Sequence, residues 1–107
     1  MVIQKLYTIK HFMDKEWYVY IMSNKKNWTL YVGVTSNIQQ RISEHKNKKY
    51  DWFTAKYWLD KLVWFNEFPT IKEAIEFEKK LKAWNRKKKV EYIESINKNW
   101  LDLFWYF

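Results

Sequence analysis

Tyr20, Tyr31, Arg41, His45 and Glu78 are the side chains of this sequence whose types and spacing could do chemistry. Arg41 and His45 are four residues apart, so on a helix they share one face. Arginine suits phosphate, because its planar fork donates two parallel hydrogen bonds. Glu78 falls within the series Ile71, Ala74, Ile75 and Leu81, which has helical spacing and is otherwise apolar. A carboxylate on such a stripe costs desolvation unless it is paired or holds a cation, so something positive should face it. Tyr20 and Tyr31 lie in two β-prone runs, the second of which contains Gly33, the only glycine of the chain. Glycine inside a strand weakens packing and marks a place where another group comes close. The chain has no cysteine. Any metal must therefore be held by carboxylates, imidazoles or carbonyls, which favours magnesium or manganese.

The elements that must position these residues can be read from pattern. The run Trp17-Tyr18-Val19-Tyr20-Ile21-Met22-Ser23, the turn-rich Asn24-Lys25-Lys26-Asn27 and a second run over 29–35 predict a β-hairpin. Side chains alternate along a strand, so Tyr18, Tyr20 and Met22 share a face, as do Tyr31 and Gly33. If the two faces coincide, both tyrosines sit beside the glycine. Ser36-Asn37-Ile38-Gln39 has the form of a capping box with Ser36 as the cap, predicting a helix over 37–46 that carries Arg41 and His45. Leu62-Val63-Trp64-Phe65 predicts a third strand. Thr70-Ile71-Lys72-Glu73 is a second capping box, opening the helix that carries Glu78. Asn85-Arg86-Lys87-Lys88-Lys89 interrupts the pattern before Val90, Ile93 and Ile96 restart it as a further helix. The expected fold is α+β: one domain with a small three-stranded antiparallel sheet flanked by helices. In that arrangement Glu78 would face the sheet that carries Tyr20 and Tyr31, with a cation between them. Residues 1–16 form an N-terminal extension, 17–103 the domain, and 104–107 an apolar tail expected to pack on the domain or against a second copy.

Composition narrows the partners. The chain has 107 residues, enough for one core and no second module. Lys and Arg number 20 against 12 Asp and Glu, a net charge of +8, and polyanions are natural partners for such a chain. No apolar stretch approaches the roughly 18 residues that span a bilayer, and residues 1–15 lack the apolar core of a signal peptide. A cytoplasmic monomer that does not bind membranes is the expectation, with a dimer through the tail as the alternative. Lys46, Lys48, Lys49 and Lys56 precede the third strand, while Lys79, Lys82, Arg86, Lys87, Lys88 and Lys89 follow Glu78. Of these, Lys46, Lys56, Lys82, Arg86 and Lys87 are the expected nucleic-acid contacts. Trp52, Phe53 and Trp84 are candidates for stacking on unpaired bases, with core packing as the plainer role. No groove-reading motif is present, so backbone and shape should be recognised over sequence.

The blocks Tyr18-Val19-Tyr20-Ile21, Leu30-Tyr31-Val32-Gly33-Val34-Thr35, Arg41 through His45 to Lys46, Phe53-Thr54-Ala55-Lys56-Tyr57, Glu78-Lys79-Lys80-Leu81-Lys82 and Ile93-Glu94-Ser95-Ile96-Asn97 occur in one order. In that order and spacing the chain resembles GIY-YIG nucleases, above all their small standalone bacterial members, over roughly residues 17–103. The resemblance implies an endonuclease hydrolysing phosphodiester bonds, with DNA expected over RNA and one divalent cation, Mg2+ or Mn2+. By the same resemblance Tyr31 would be the general base, Arg41 would stabilise charge on the phosphoryl group, and Glu78 would hold the metal. His45 would orient Tyr20 or assist proton transfer, and Asn97 would position the site or a metal-bound water. A tyrosine with its ordinary pKa of about 10 is a poor base at neutral pH and needs a nearby cation to favour phenolate.

Each residue also has a plain role: tyrosines packing a hairpin, Arg41 and His45 on a solvated helix face, Glu78 paired with a lysine. A binding module that keeps the fold without cutting is the alternative function. The sequence departs from the wider family at Tyr18, where many members have glycine, and at Val34, where some carry lysine. It departs from the small members at Lys98, where proline is frequent. Glycine usage is odd as well: ordinary chains carry about 7%, and this one has a single glycine against 8 tryptophans. Trp28, Trp52 and Trp58 stand where similar proteins often have glycine. They are expected to arise from a codon read as Trp that the source organism reads as Gly, whereas Trp17, Trp64, Trp84 and Trp100 fit aromatic positions.

Overall fold

The computed structural model describes residues 16–24, 29–47 and 59–106. Strand β1 (Trp17–Ser23) is followed by β2 (Leu30–Thr35), helix α1 (Ile38–Lys46), β3 (Lys61–Phe68), α2 (Ile71–Ala83), α3 (Arg86–Ile96) and a 3-10 turn (Leu103–Tyr106). The strands form one antiparallel sheet in the order β2-β1-β3. This is the expected α+β fold. It is a three-stranded sheet with helices on both faces, and the central strand is therefore buried on both sides from Tyr18 to Ser23.

Alternation along β1 divides the core in two. Val19 and Ile21 point to the face covered by Ala74 and Leu81 of α2 and Ile93 of α3. Tyr18, Tyr20 and Met22 point to the other, covered by Ile38 and Ile42 of α1. Fully burying an aliphatic side chain contributes about 1.5–3 kcal/mol, so these two sets fix which face each helix covers. A β-bulge breaks the pairing of β1 with β3: Ile21 lies opposite Trp64 and Met22 opposite Leu62, leaving Val63 as the extra residue. The bulge explains how the adjacent Val63 and Trp64 join the same core cluster.

Helix starts follow side-chain capping. Thr70 Oγ1 accepts the Glu73 N–H at 3.2 Å, as its capping box predicts. At α1 the cap is Asn37 rather than Ser36: its Oδ1 accepts the Gln40 N–H at 3.1 Å. Asn85 caps α3 through the Lys88 N–H at 2.9 Å, so the lysine run forms that helix's first turn instead of interrupting the pattern. Two expected stripe positions are exposed, Ile71 and Ile96. Among the described residues no helix is long and apolar enough to cross a membrane.

Candidate active site

The β1–β2 register places Tyr20 opposite Gly33. A Cβ at Gly33 would lie 2.5 Å from both Cζ and Oη of Tyr20, so the phenol ring occupies the space any other residue would fill. Thus directed, the Tyr20 hydroxyl meets His45 Nε2 at 3.0 Å, with both side chains almost wholly buried. Which partner donates depends on the imidazole tautomer. Tyr31, two residues before Gly33 on the same face, completes a three-ring group. Its ring centroid is 5.3 Å from that of His45 and 6.2 Å from that of Tyr20. Of the three rings only Tyr31 is half-buried. It forms the outer rim of the group, while Tyr20 and His45 form its inner wall.

Helix α1 supplies the neighbouring charge. Arg41, one turn before His45, is half-buried, and its Nε lies 3.4 Å from Glu44 Oε1. His45 and Lys46 occupy the last turn, where the Lys46 charge complements the helix dipole.

Glu78 stands elsewhere than the sequence suggested. α2 covers the face opposite the tyrosines, so the sheet separates its axis from Tyr20 and Tyr31. Residues on a helix advance by about 100° each, which places Glu78 and Phe77 on opposite flanks of the buried Ala74–Leu81 line. Phe77 packs toward Trp64, Phe68, Trp84 and Tyr92, the side of β3 and α3. Glu78 therefore flanks the side of β2, which among the described residues is an edge strand and carries Tyr31 on its other face. Any site uniting Tyr31 and Glu78 must wrap around the β2 edge. The positive group facing this carboxylate is Lys82, whose Nζ lies 3.2 Å from Glu78 Oε2.

Among the described residues no three His, Cys, Asp or Glu side chains cluster as a ready-made metal cage. A single hard carboxylate nonetheless fits magnesium or manganese, which keep several waters and take substrate phosphates as ligands.

Two expected site residues serve the backbone instead. Asn97 is buried, and its Nδ2 donates to the carbonyls of Val63 (3.0 Å) and Leu101 (2.8 Å), while its Oδ1 accepts the Leu101 N–H at 2.9 Å. Both amide protons of Asn97 are thus engaged by backbone carbonyls, tying the end of α3 to β3. Lys46 departs from the expected phosphate surface: Nζ donates to Asp60 O at 2.8 Å and forms an ion pair with Asp102. Lys82 is tied to Glu78, while Arg86 and Lys87 lie exposed in the first turn of α3. Trp84 packs edge-on against Phe77 and Tyr92, with Lys88 Nζ 4.2 Å from its ring centroid, and so belongs to the core. Lys48, Lys49, Trp52, Phe53 and Lys56, like Trp28 and Trp58, lie outside the described residues. Asp102 was missed. Its signal was present, a lone acid in the apolar run 100–107, which calls for an internal partner.

Residues 16–91 match the family described as the GIY-YIG catalytic domain. A UPF0213 protein of Bacillus pumilus is 31% identical over 84 residues, covering 78% of this chain and 86% of the relative. One from Staphylococcus haemolyticus is 35% identical over 77 residues, 72% of this chain and 93% of the relative. The solution NMR structure of a UPF0213 protein from Bacillus halodurans superposes with a TM-score of 0.52 at 28% identity, covering 81% of this chain and 92% of that one. The tyrosine hairpin, its glycine and the helices around it are thus those of a nuclease-type fold, and the chain belongs to the GIY-YIG family.

Proposed function

We propose that this protein is a metal-dependent endonuclease that hydrolyses phosphodiester bonds of nucleic acid, DNA before RNA. The observation that carries the reading is the three-ring group: a buried Tyr20–His45 hydrogen bond built over Gly33, with half-buried Tyr31 against it. Such an arrangement costs a glycine in a strand and a buried imidazole, and a hairpin core needs neither.

In this reading Tyr31 takes the proton of the attacking water. Arg41 lies on the same face and favours phenolate through its charge, then donates to the phosphoryl oxygens. Tyr20 and His45 hold Tyr31 in place and exclude water behind it. Glu78 would hold a magnesium or manganese ion, which supplies polarisation of the phosphate and stabilisation of the departing oxygen. Lys82 would have to leave Glu78 as that ion binds. Arg86 and Lys87, beyond the end of α2, would bind the phosphate backbone.

The Glu78–Lys82 pair also favours a second reading, a nucleic-acid-binding module that does not cut, since the carboxylate already has a cation. Incubating the purified protein with branched, single-stranded and duplex substrates, with and without Mg2+ or Mn2+, separates the two. Metal-dependent cleavage supports the nuclease. Binding without cleavage supports the module.

A further inference from the structure

Among the described residues β3 is an edge strand with no strand partner on its outer side, and the bulge at Val63 breaks its pairing with β1. Side chains from beyond α3 serve this stretch. Asn97 takes the Val63 carbonyl, and Asp102 Oδ1 accepts the N–H of Leu62 at 3.2 Å and of Phe104 at 3.1 Å. The other Asp102 oxygen holds Lys46 Nζ, which lies 5.2 and 5.4 Å from the ring centroids of Phe104 and Trp105. Both ion-pair side chains are largely shielded, at 22% and 17% exposure. Lys46 is the last residue of α1 and the immediate neighbour of His45. Leu103 and Phe104 pack on the cluster that contains Tyr20 and Ile42.

We infer that Lys46 and Asp102 are positioning residues: the C-terminal segment 101–106 is a latch that sets the last turn of α1, and with it His45, against Tyr20. The physical reason is short range. The Tyr20–His45 contact is one hydrogen bond, and such bonds weaken steeply once distance or angle departs from the optimum. Lys46 is where the end of α1 is tied to the approach to β3 and to the tail at once. Removing one member of a shielded pair leaves the other uncompensated, so the turn must rearrange. The catalytic consequence rests on the nuclease reading; the geometric one does not.

The test uses Lys46→Met, which keeps the stem over the two rings, Asp102→Asn, which keeps an oxygen for the Leu62 and Phe104 N–H groups, and the double variant. The 15N resonances of the His45 imidazole in the free protein report its bond to Tyr20 without any substrate. Each single change should shift them. On whichever nucleic acid the parent cuts, kcat should fall about 10- to 100-fold with KM changed less than about twofold, as expected for misplacement. The double variant should be no worse than either single one, and Lys46→Arg should restore both readouts. The opposite pattern overturns the latch: His45 resonances unmoved, KM raised by Lys46→Met and lowered by Asp102→Asn, marking Lys46 as a phosphate ligand. Should Asp102→Asn fail to fold, Lys46→Met and Lys46→Arg decide alone. If the parent cuts nothing, the nuclease reading fails, and the His45 resonances still decide the latch.

Discussion

The phenol of Tyr20 lies where the side chain of residue 33 would be, with Gly33 directly opposite it in the hairpin register. This relationship directs the hydroxyl to His45 and leaves Tyr31 at the half-buried rim. Gly33→Ala must displace the ring, because the new methyl would sit 2.5 Å from its outer atoms and the ring is enclosed by core. Urea denaturation should show a loss of about 1–3 kcal/mol, the cost typical of overpacking. The His45 signals should move with it. A stable Gly33→Ala protein with unchanged His45 signals would show that the ring has room to spare.

Glu78→Gln keeps the shape and removes the charge that would hold a hard cation. Cleavage should drop by orders of magnitude, while nucleic-acid binding survives or tightens. Stability should change little, because the partner Lys82 is mostly exposed and pairs of that kind contribute about 0–1 kcal/mol. Unimpaired cutting in magnesium would remove the metal role from Glu78. Unfolding would make it a structural ion-pair residue.

The first turn of α3 carries Arg86, Lys87, Lys88 and Lys89, and no acid. Cations at a helix N-terminus oppose the dipole, and relieving that offsets the loss of the Lys88 contact with the Trp84 ring, so changing Lys87, Lys88 and Lys89 together to Ala should leave the fold intact. If these lysines contact phosphates, log affinity should fall linearly with log salt, by about 0.7–0.9 per phosphate neutralised. The variant should flatten that slope and leave the rate at saturating substrate unchanged. Salt-insensitive binding by the parent would argue against nucleic acid as the partner.

Trp28, Trp52 and Trp58 should be glycine in the protein as its own cell makes it. Peptide mass spectrometry of the native protein decides this directly, and tryptophan at all three positions would end the idea. Trp100 is a useful contrast. It adopts a positive φ of 56°, where glycine is easiest, yet it is buried and its Nε1 donates to Glu94 Oε2 at 2.7 Å. The backbone conformation there suits glycine while the burial and the hydrogen bond suit tryptophan, so position 100 belongs in the same measurement.

Much of the fold was readable because the hairpin, the Thr70 cap and the apolar stripes are local patterns. Tyr20, Tyr31 and Gly33 came together because alternation puts them on one face, and Arg41 with His45 because four residues make about one turn. Glu78 was misplaced for a definite reason. Helical spacing tells which side of α2 is buried, but in a sheet covered on both sides it does not tell which face receives it. Lys46 and Asp102 meet across 56 positions of sequence, and no local pattern reports such a contact. The cap at Asn37 was missed by one residue because Ser36 is an equally good capping type.

If Tyr31 is the base of a metal-dependent nuclease site, comparing the parent with Tyr31→Phe shows it most directly. Removing one hydroxyl from a half-buried ring leaves the packing against His45 and Tyr20 in place. With Mg2+ or Mn2+ and a panel of branched, single-stranded and duplex nucleic acids, the parent should cut at least one substrate. Tyr31→Phe should bind that substrate with similar affinity and cut it at least about 100-fold more slowly, the scale of a lost general base. Equal cutting by Tyr31→Phe would show that Tyr31 is not the base, and no cutting of any substrate by the parent with either metal would show that the protein is not a nuclease of this kind.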